Sequence, residues 1–293
     1  MARRYDTVTF LSDYGTSDEF VGVVHAVIRD LAPHARVIDL THGIAPFDVR
    51  AGSLALARSI SYVPTGIVLA VVDPGVATAR RAIAVEVAGG EGVLVGPDNG
   101  LLAPAVAMAG GAERAVELAN PDYQLAAPGA TFAGRDVFAP AAAHLCNGVE
   151  LSDLGPALDP DLLMPGVLAL PQADDERVIA QVLWVDRFGN AQLNVGPDDL
   201  PPTFGTRIEV RLTPSGTVGD PPDAPVRSAR RVDAYAELGP GEVGLVLDSS
   251  GLLAISMDRR SAAEELGIDV ADQVTLLPGG DIAQPVTLGR RPA

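Results

Sequence analysis

Apolar residues in the first half of the chain alternate between strand-like runs and segments with helical spacing. Residues 6–12 alternate as a strand does, and residues 19–32 carry apolar positions at helical spacing. The nearly continuous apolar run 66–73 is typical of a strand buried on both faces. Further strands are predicted at 37–43, 82–88 and 92–97, and further helices at 53–63, 101–110 and 136–148. This alternation predicts an α/β domain with a mainly parallel sheet over residues 1–160.

The pattern changes in the second half of the chain. Residues 161–176 are rich in proline and acidic residues and lack sustained periodicity, so we interpret them as a linker. Beyond the linker, short strand-like runs are separated by glycine and proline, and they lie at 178–186, 191–195, 206–212, 242–248, 252–257 and 273–278. Residues 177–293 are therefore predicted to form an all-β, barrel-like domain.

Composition limits the classes of function. The formal net charge of -17 repels phosphate backbones and anionic lipid headgroups, so we expect no nucleic-acid or membrane partner. The charge favours a cationic ligand, although an acidic surface more often serves solubility. The first residues run directly into a strand pattern without the apolar stretch of a signal peptide, and no apolar run is long enough to span a bilayer. We expect a cytoplasmic protein.

Several common cofactor sites lack their motifs. The chain has one cysteine, Cys146, and four histidines at no zinc-like spacing, so we predict no disulfide and no metal. It has no GxGxxG, no lysine for a P-loop and no GxSxG. Dinucleotide-binding, P-loop and α/β-hydrolase functions therefore lose their usual support.

Polar residues follow the predicted parallel strands, where open α/β sheets place their ligands. They are Ser12, Asp13, Thr41, His42, Asp73, Asp98 and Asn99. Taken singly, each has a structural alternative, since Asp13 and Asp18 could cap a helix and Thr41 could close a turn. Their convergence on one edge of the sheet indicates a site.

The segment 71–81 returns Arg80 seven residues after Asp73, through a turn that contains proline and glycine. The two side chains can form a structural ion pair, or they can hold and polarise a water molecule. In the second domain, the segments 185–190 and 248–256 place polar and aromatic side chains at turns, and a simple β-turn accounts for each equally well.

In chain order, seven segments resemble the signature of the S-adenosyl-L-methionine (SAM) hydroxide adenosyltransferases, relatives of the fluorinating and chlorinating SAM enzymes. They are FLSDYGTSDEFVG, DLTHGIAPFDV, VVDPGVATARR, VGPDNGLL, TFAGRDVFAPAAA, VDRFGN and DSSGLLAIS. The resemblance implies an N-terminal α/β domain, a C-terminal β-barrel and a homotrimer with sites between subunits. It also implies SAM as the substrate, adenosine and methionine as products, and no cofactor.

The resemblance assigns a role to individual residues. Asp73 and Arg80 would be catalytic. Asp13 would bind the ribose hydroxyls, with Asp18 in the same loop, and Phe47 would stand where the halogenating relatives have a tryptophan. The remaining substrate-binding residues would be Gly134, Asp186 for the methionine ammonium, Phe188 and Asn190 for the adenosine, Tyr235 for the purine, Ser249 and Ser250 for the methionine carboxylate, and Met257, Asp258 and Arg259 for the adenine.

Two positions decide between activities within this resemblance. The halogenating relatives carry a tyrosine where this chain has Asp73, and a carboxylate there repels a halide but can orient water. The hydroxide-transferring relatives usually carry a histidine where this chain has Ala133. Either Asp73 and Arg80 suffice, or His42 or His144 enters the site, or activity is impaired. The alternatives to SAM hydrolysis are a halide-dependent 5′-halo-5′-deoxyadenosine synthase and a non-catalytic SAM- or adenosine-binding protein.

Overall fold

The chain folds into two compact units, with the boundary after Val167. The structure is a computed structural model, and it describes residues 5–167, 169–174, 176–217 and 225–279. The boundary falls inside the segment 161–176 that we predict as a linker. The ends of the two predicted domains, 1–4 and 280–293, lie outside the described residues. We refer to the N-terminal unit and the C-terminal unit below.

The N-terminal unit combines one sheet with helices. Its strands are β1 (Thr7–Ser12), β2 (Arg36–Thr41), β3 (Gly66–Val71), β4 (Ala82–Val87), β5 (Gly92–Pro97), β6 (Arg114–Glu117) and β7 (Ala157–Leu158). Its helices are α1 (Phe20–Leu31), α2 (Val49–Ser59), α3 (Ala103–Met108) and α4 (Ala139–Cys146). A π-helical turn, Gly134–Phe138, leads directly into α4.

The strand order in this sheet is β2-β1-β3-β5-β4-β6-β7. Strands β2, β1, β3 and β5 run parallel to one another, which confirms the predicted α/β class. Strands β4, β6 and β7 pair antiparallel. The connection from β4 to β5 is a short 3₁₀ segment, Ala88–Gly90, and a parallel crossover needs a much longer one.

Burial explains the strand and helix patterns. All six residues of β1 and all six of β3 are buried, as expected for central strands covered on both faces. Helix α1 buries Val24 and Ile28, which lie one turn apart on the same face. Asp48 caps α2 by accepting a hydrogen bond from the Ala51 N–H at 2.8 Å. In the described residues, no helix has the length and hydropathy to cross a bilayer.

The C-terminal unit is a β-barrel. Its strands are β8 (Gln172–Ala173), β9 (Val178–Val185), β10 (Ala191–Leu193), β11 (Arg207–Thr213), β12 (Val226–Val232), β13 (Val243–Leu247), β14 (Leu253–Ser256) and β15 (Gln273–Pro278), with one short helix, α5 (Ala262–Leu266). Seven strands close in the order β9-β10-β14-β13-β12-β11-β15, because β10 pairs with β9 as well as with β14. This closure confirms the predicted barrel-like domain.

The pairing of β10 positions two loops of the C-terminal unit side by side. Ala191, the first residue of β10, pairs with Val185 at the end of β9 and with Ile255 near the end of β14. The loop after β9 and the loop after β14 therefore leave the barrel next to each other. A hydrogen bond from the Ala263 N–H to the Gly189 carbonyl, 3.0 Å long, connects the first loop to α5.

Candidate active site

A cavity lies at the carboxyl ends of the parallel strands in the N-terminal unit. The strand ends are joined there by hydrogen bonds, from the Asp13 N–H to the Val71 carbonyl at 3.3 Å and from Asn99 Nδ2 to the Val72 carbonyl at 2.9 Å. The cavity is lined by Asp13, Tyr14, Asp18, Phe20, Pro46, Phe47, Asp73, Val76, Thr131 and Ala133. Four of the residues predicted from the sequence, Asp13, Asp18, Phe47 and Asp73, thus share one cavity.

Asp73 and Arg80 form a bidentate ion pair beside this cavity. Arg80 Nε donates to Asp73 Oδ1 at 3.0 Å, and Arg80 Nη2 donates to Asp73 Oδ2. Only 6% of the Asp73 side chain and 11% of the Arg80 side chain are exposed. Burial raises the pKa of Asp73 above the usual 3.8, and the attraction of Arg80 opposes this rise without cancelling it. Asp73 is therefore a more basic carboxylate than an exposed one.

The guanidinium of Arg80 is held on its other side as well. Its central carbon lies 5.4 Å from the centre of the Phe138 ring, a cation–π distance. Phe138 ends the π-helical turn and is fully buried. The ion pair is therefore supported by the hydrophobic core and has little freedom to move.

Asp13 fixes the loop that carries Phe47. Asp13 Oδ2 accepts a hydrogen bond from the Phe47 N–H at 2.9 Å. Phe47 has a φ of 71°, which is unusual for a residue with a side chain, and its ring is largely exposed. This hydrogen bond helps to hold Phe47 in the left-handed region, with its ring at the mouth of the cavity.

Tyr14 and Thr131 are the polar residues of this lining that the sequence analysis did not propose, and Tyr14 is the one with an ionisable group. The centre of its ring lies 6.5, 5.6 and 5.7 Å from the ring centres of Phe10, Phe20 and Phe132. The rings of Phe20 and Phe132 also pack against each other at 5.0 Å. Its hydroxyl lies so close to Gly134 that a Cβ there would come within 2.2 Å of it. Burial, followed by the charges of Asp13 and Asp73, raises the pKa of Tyr14. The phenol therefore stays protonated and can donate a hydrogen bond.

Tyr14 lies close to Ala133, the position where the hydroxide-transferring relatives usually carry a histidine. Both residues line the cavity, and Ala133 precedes Gly134, against which the phenol lies. No histidine belongs to the lining within the described residues. His144 packs instead against Tyr123 at a ring distance of 4.9 Å, and His42 bonds to Ser12.

A second pocket occurs in the C-terminal unit, where the loops after β9 and β14 lie side by side. It is lined by Asp186, Phe188, Asn190, Tyr235, Met257, Asp258, Arg259, Arg260 and Ser261. Seven of these residues were predicted from the sequence, and Arg260 and Ser261 were not. These two residues could have been proposed from the sequence, because they directly follow the predicted Asp258 and Arg259.

Asp186 organises one loop of this pocket. Its Oδ1 accepts hydrogen bonds from the N–H groups of Phe188 and Asn190 at 2.8 and 2.9 Å, and its Oδ2 accepts one from Asn190 Nδ2 at 2.8 Å. Gly189 has a φ of 83°, and a Cβ on it would lie 2.1 Å from Ser261 Oγ. The loop therefore needs glycine, and it presents the ring of Phe188, which is 74% exposed.

Ser249 and Ser250 lie in a separate turn of the same unit. Asp248 Oδ1 accepts hydrogen bonds from the N–H groups of Ser250 and Leu252 at 2.8 and 3.1 Å. Within the described residues, neither serine belongs to the lining of the second pocket. The structure does not bring these two predicted residues together with the other seven.

Three possible metal ligands also meet on the N-terminal unit, and none of them lines either of these two pockets. The atoms that His25, Asp39 and His42 offer lie within 4.8 Å of one another. The sequence analysis missed this group, because His25 comes from α1 while the other two come from β2 and the residue that follows Thr41. Spacing along the chain does not show that a helix and a strand bring these groups together.

Comparisons with known proteins agree on one family. Residues 8–155 match the family model described as the SAM hydroxide adenosyltransferase N-terminal domain, and residues 180–275 match its C-terminal domain. A protein of Salinispora tropica named (R)-S-adenosyl-L-methionine hydrolase is 43% identical over 93% of this chain and 98% of its own length. A protein of Actinoplanes named fluorinase is 26% identical over 92% of this chain and 96% of its own.

A solved structure gives the same result. The crystal structure of an uncharacterized conserved protein from Thermotoga maritima superposes with a TM-score of 0.81. It is 32% identical in sequence and covers 92% of this chain and 99% of its own. Sequence and fold are thus shared over both units.

Proposed function

This chain belongs to the SAM hydroxide adenosyltransferase family, and we propose that it hydrolyses SAM to adenosine and L-methionine. The observation that carries the proposal is the buried Asp73–Arg80 pair beside a cavity that also contains Asp13. The relatives named as SAM hydrolases, at 41% to 43% identity, support the same reaction. The more distant fluorinases, at 26% to 28%, make halide the weaker alternative.

The reaction is a displacement at the 5′ carbon of SAM. The oxygen of a water molecule forms a bond to C5′ while the C5′–S bond breaks, and the electron pair of that bond returns to sulfur to give methionine. Asp73 orients the water and accepts its proton, for which a raised pKa is favourable. The oxygen becomes more positive as it bonds to carbon, which favours transfer of its proton, and the bidentate pair with Arg80 holds the Asp73 carboxylate in position to accept it. The sulfonium is already a good leaving group, so no cofactor is proposed.

The polarity of the cavity argues for water and against halide. A buried carboxylate repels an anion, and the charge of Arg80 is already satisfied by Asp73. A halide would therefore meet Asp73 without a free cation from this pair. Water can donate to Asp73 and lies in line with C5′ if the sulfonium points away from the pair.

Tyr14 supplies the third polar group in this proposal. Its protonated phenol, next to Ala133 and Gly134, can donate a hydrogen bond to the attacking water or to the ribose. It thereby takes the place of the histidine that the hydroxide-transferring relatives usually have at position 133. Asp73, Arg80 and Tyr14 together can orient one water molecule.

The remaining residues bind the substrate. In the first cavity, Asp13 takes the ribose hydroxyls, while Asp18 and the Phe47 ring border the nucleoside. In the second pocket, Asp186 takes the methionine ammonium and the aromatic rings of Phe188 and Tyr235 pack on the adenosine. The other proposed contacts, from the resemblance, are Gly134, Asn190, Ser249, Ser250, Met257, Asp258 and Arg259.

The working enzyme is proposed to be a homotrimer with sites between subunits, located in the cytoplasm. The resemblance supports the trimer, and the lone, buried Cys146 fits a reducing compartment. Light scattering of the purified protein tests the number of subunits directly.

The deciding experiment is incubation of purified protein with SAM in halide-free buffer, followed by chromatography. Equal amounts of adenosine and methionine, unchanged when chloride is added, are the expected result. A 5′-halo nucleoside that forms only with halide would replace the proposal with the halogenating reaction. Tight SAM binding without any product would identify a binding protein instead.

A further inference from the structure

The group of His25, Asp39 and His42 has the geometry of a metal site. His25 Nε2 lies 2.8 Å from Asp39 Oδ1, and His42 Nε2 lies 3.0 Å from the same oxygen. Two imidazole nitrogens thus approach one carboxylate oxygen, and the three atoms lie within 4.8 Å of one another. This is the donor set that zinc and other late first-row divalent metals bind in proteins.

The ring of His42 is held in a fixed orientation, as a metal ligand requires. Its Nδ1 shares a 2.8 Å hydrogen bond with the fully buried Oγ of Ser12, and its ring packs edge-on against Phe10 at 4.6 Å. Metal-binding histidines commonly have their second ring nitrogen fixed by such a bond. Ser12 therefore fixes the ring orientation and directs Nε2 at the group.

The Nε2 atom of His42 is buried beside the Asp39 carboxylate. Only 5% of the side chain is exposed, and this nitrogen has Asp39 Oδ1 as a neighbour at 3.0 Å, although within the described residues it makes no hydrogen bond of good geometry. A buried polar atom without such a bond is uncommon and calls for an explanation. A metal ion bound by Nε2 and the carboxylate would replace this poorly aligned contact with two well-directed bonds.

We propose that His25 Nε2, Asp39 Oδ1 and His42 Nε2 bind one Zn²⁺ ion. Ligand bonds of about 2.0–2.1 Å in a tetrahedron require donor separations of about 3.3 Å, so the 2.8 and 3.0 Å separations must widen by a few tenths of an ångström. His25 and Asp39 can make this adjustment, because 35% and 44% of their side chains are exposed. Water occupies the fourth position.

Zinc at this site joins α1 to β2. It also lies one hydrogen bond from the candidate active site, because the Ser12 Oγ that holds His42 accepts from the Tyr14 N–H at 3.2 Å. The ion stabilises the N-terminal unit and does not take part in the reaction at C5′. The proposal stands whether or not SAM is the substrate.

The test is titration of the chelator-treated full chain with Zn²⁺ by calorimetry and with Co²⁺ by visible absorption. We expect one Zn²⁺ per chain, Co²⁺ bands of a four-coordinate site, and at least tenfold weaker binding in His25→Ala and Asp39→Asn. His144→Ala is the matched control and binds as the original chain does, because His144 packs on Tyr123.

Two results would overturn the site. One is the absence of Zn²⁺ binding by the original chain, which would leave Asp39 as a simple hydrogen-bonded bridge between two imidazoles. The other is binding of equal strength in His25→Ala, Asp39→Asn and the control, which would show that Zn²⁺ attaches elsewhere on this acidic protein. Circular dichroism of each variant verifies that the chain is folded.

Discussion

At the scale of single residues, substitution of Asp73 should have the largest effect on turnover. Asp73→Asn keeps the shape of the side chain but removes the base, so turnover should fall about 100-fold or more while the SAM dissociation constant changes little. Product chromatography and calorimetry measure the two quantities. Glu86→Gln is the matched control, since it breaks a carboxylate–arginine pair with Arg114 in the same unit. Equal turnover in Asp73→Asn and the control would contradict the proposed base.

The raised pKa of Asp73 predicts a pH dependence. Asp73 acts as a carboxylate, so turnover is present above its pKa and is lost as the pH falls through it. Because burial raises that pKa above 3.8, the acid limb should lie at a higher pH than for an exposed aspartate. A pH–rate profile of kcat locates the limb. A rate that stays constant down to the pH where exposed aspartates titrate would be inconsistent with this role.

Tyr14 should contribute less than Asp73 but in the same step. Tyr14→Phe preserves the packing with Phe10 and Phe132 and removes only the hydroxyl. Loss of one hydrogen bond in the transition state predicts a fall in kcat of about tenfold with KM nearly unchanged. Steady-state kinetics resolve the two constants. A change in KM alone would instead assign the phenol to ground-state binding.

The sequence could predict which side chains meet where the residues lie close together along the chain. Asp73 and Arg80 are seven residues apart in one loop, so their pairing could be expected. Asp13, Asp18 and Phe47 could be placed only through strand ends and the resemblance. The roles of all these residues stay predictions. His25 could not be associated with Asp39 and His42, because their proximity depends on how α1 packs beside β2.

At the scale of elements, the π-helical turn Gly134–Phe138 connects fold and site. A Cβ at Gly134 would collide with the Tyr14 hydroxyl, so Gly134→Ala should displace the phenol and lower kcat about as much as Tyr14→Phe. The double variant should show no further loss, since both changes remove the same group. Gly129→Ala, where a Cβ meets nothing within 4 Å, is the control. Fully additive losses would separate Gly134 from Tyr14.

The elements themselves were largely predictable. The buried strands β1 and β3 and the amphipathic helix α1 have the apolar patterns that the sequence shows directly. Strand β12 was not predicted, because its residues include three arginines and five of its seven positions are exposed or partly exposed. Strands β7 and β8 contain two residues each, too few for any periodicity. The antiparallel direction of β4 follows from the short connection between β4 and β5, and the apolar pattern of β4 does not show it.

At the scale of the whole molecule, the proposal that the sites lie between subunits predicts complementation. Asp73→Ala and Asp186→Asn should each be inactive alone, because one loses the base and the other the ammonium contact. Co-expressed as differently tagged chains, they should regain activity, with about one site in three intact in a trimer that contains both chains. Turnover of the doubly tagged, purified assembly measures this. An inactive mixed assembly would mean that each site is complete within one chain.

The single cysteine makes this molecule a convenient object for labelling. Cys146 is fully buried in α4, and burial raises the pKa of its thiol to about 12, so it reacts poorly with maleimides at neutral pH. A cysteine introduced at an exposed position such as Tyr62 would then be the reactive thiol of the chain. Fluorophores can therefore be attached without replacing Cys146, and energy transfer between labelled chains can follow subunit exchange in the proposed trimer in real time.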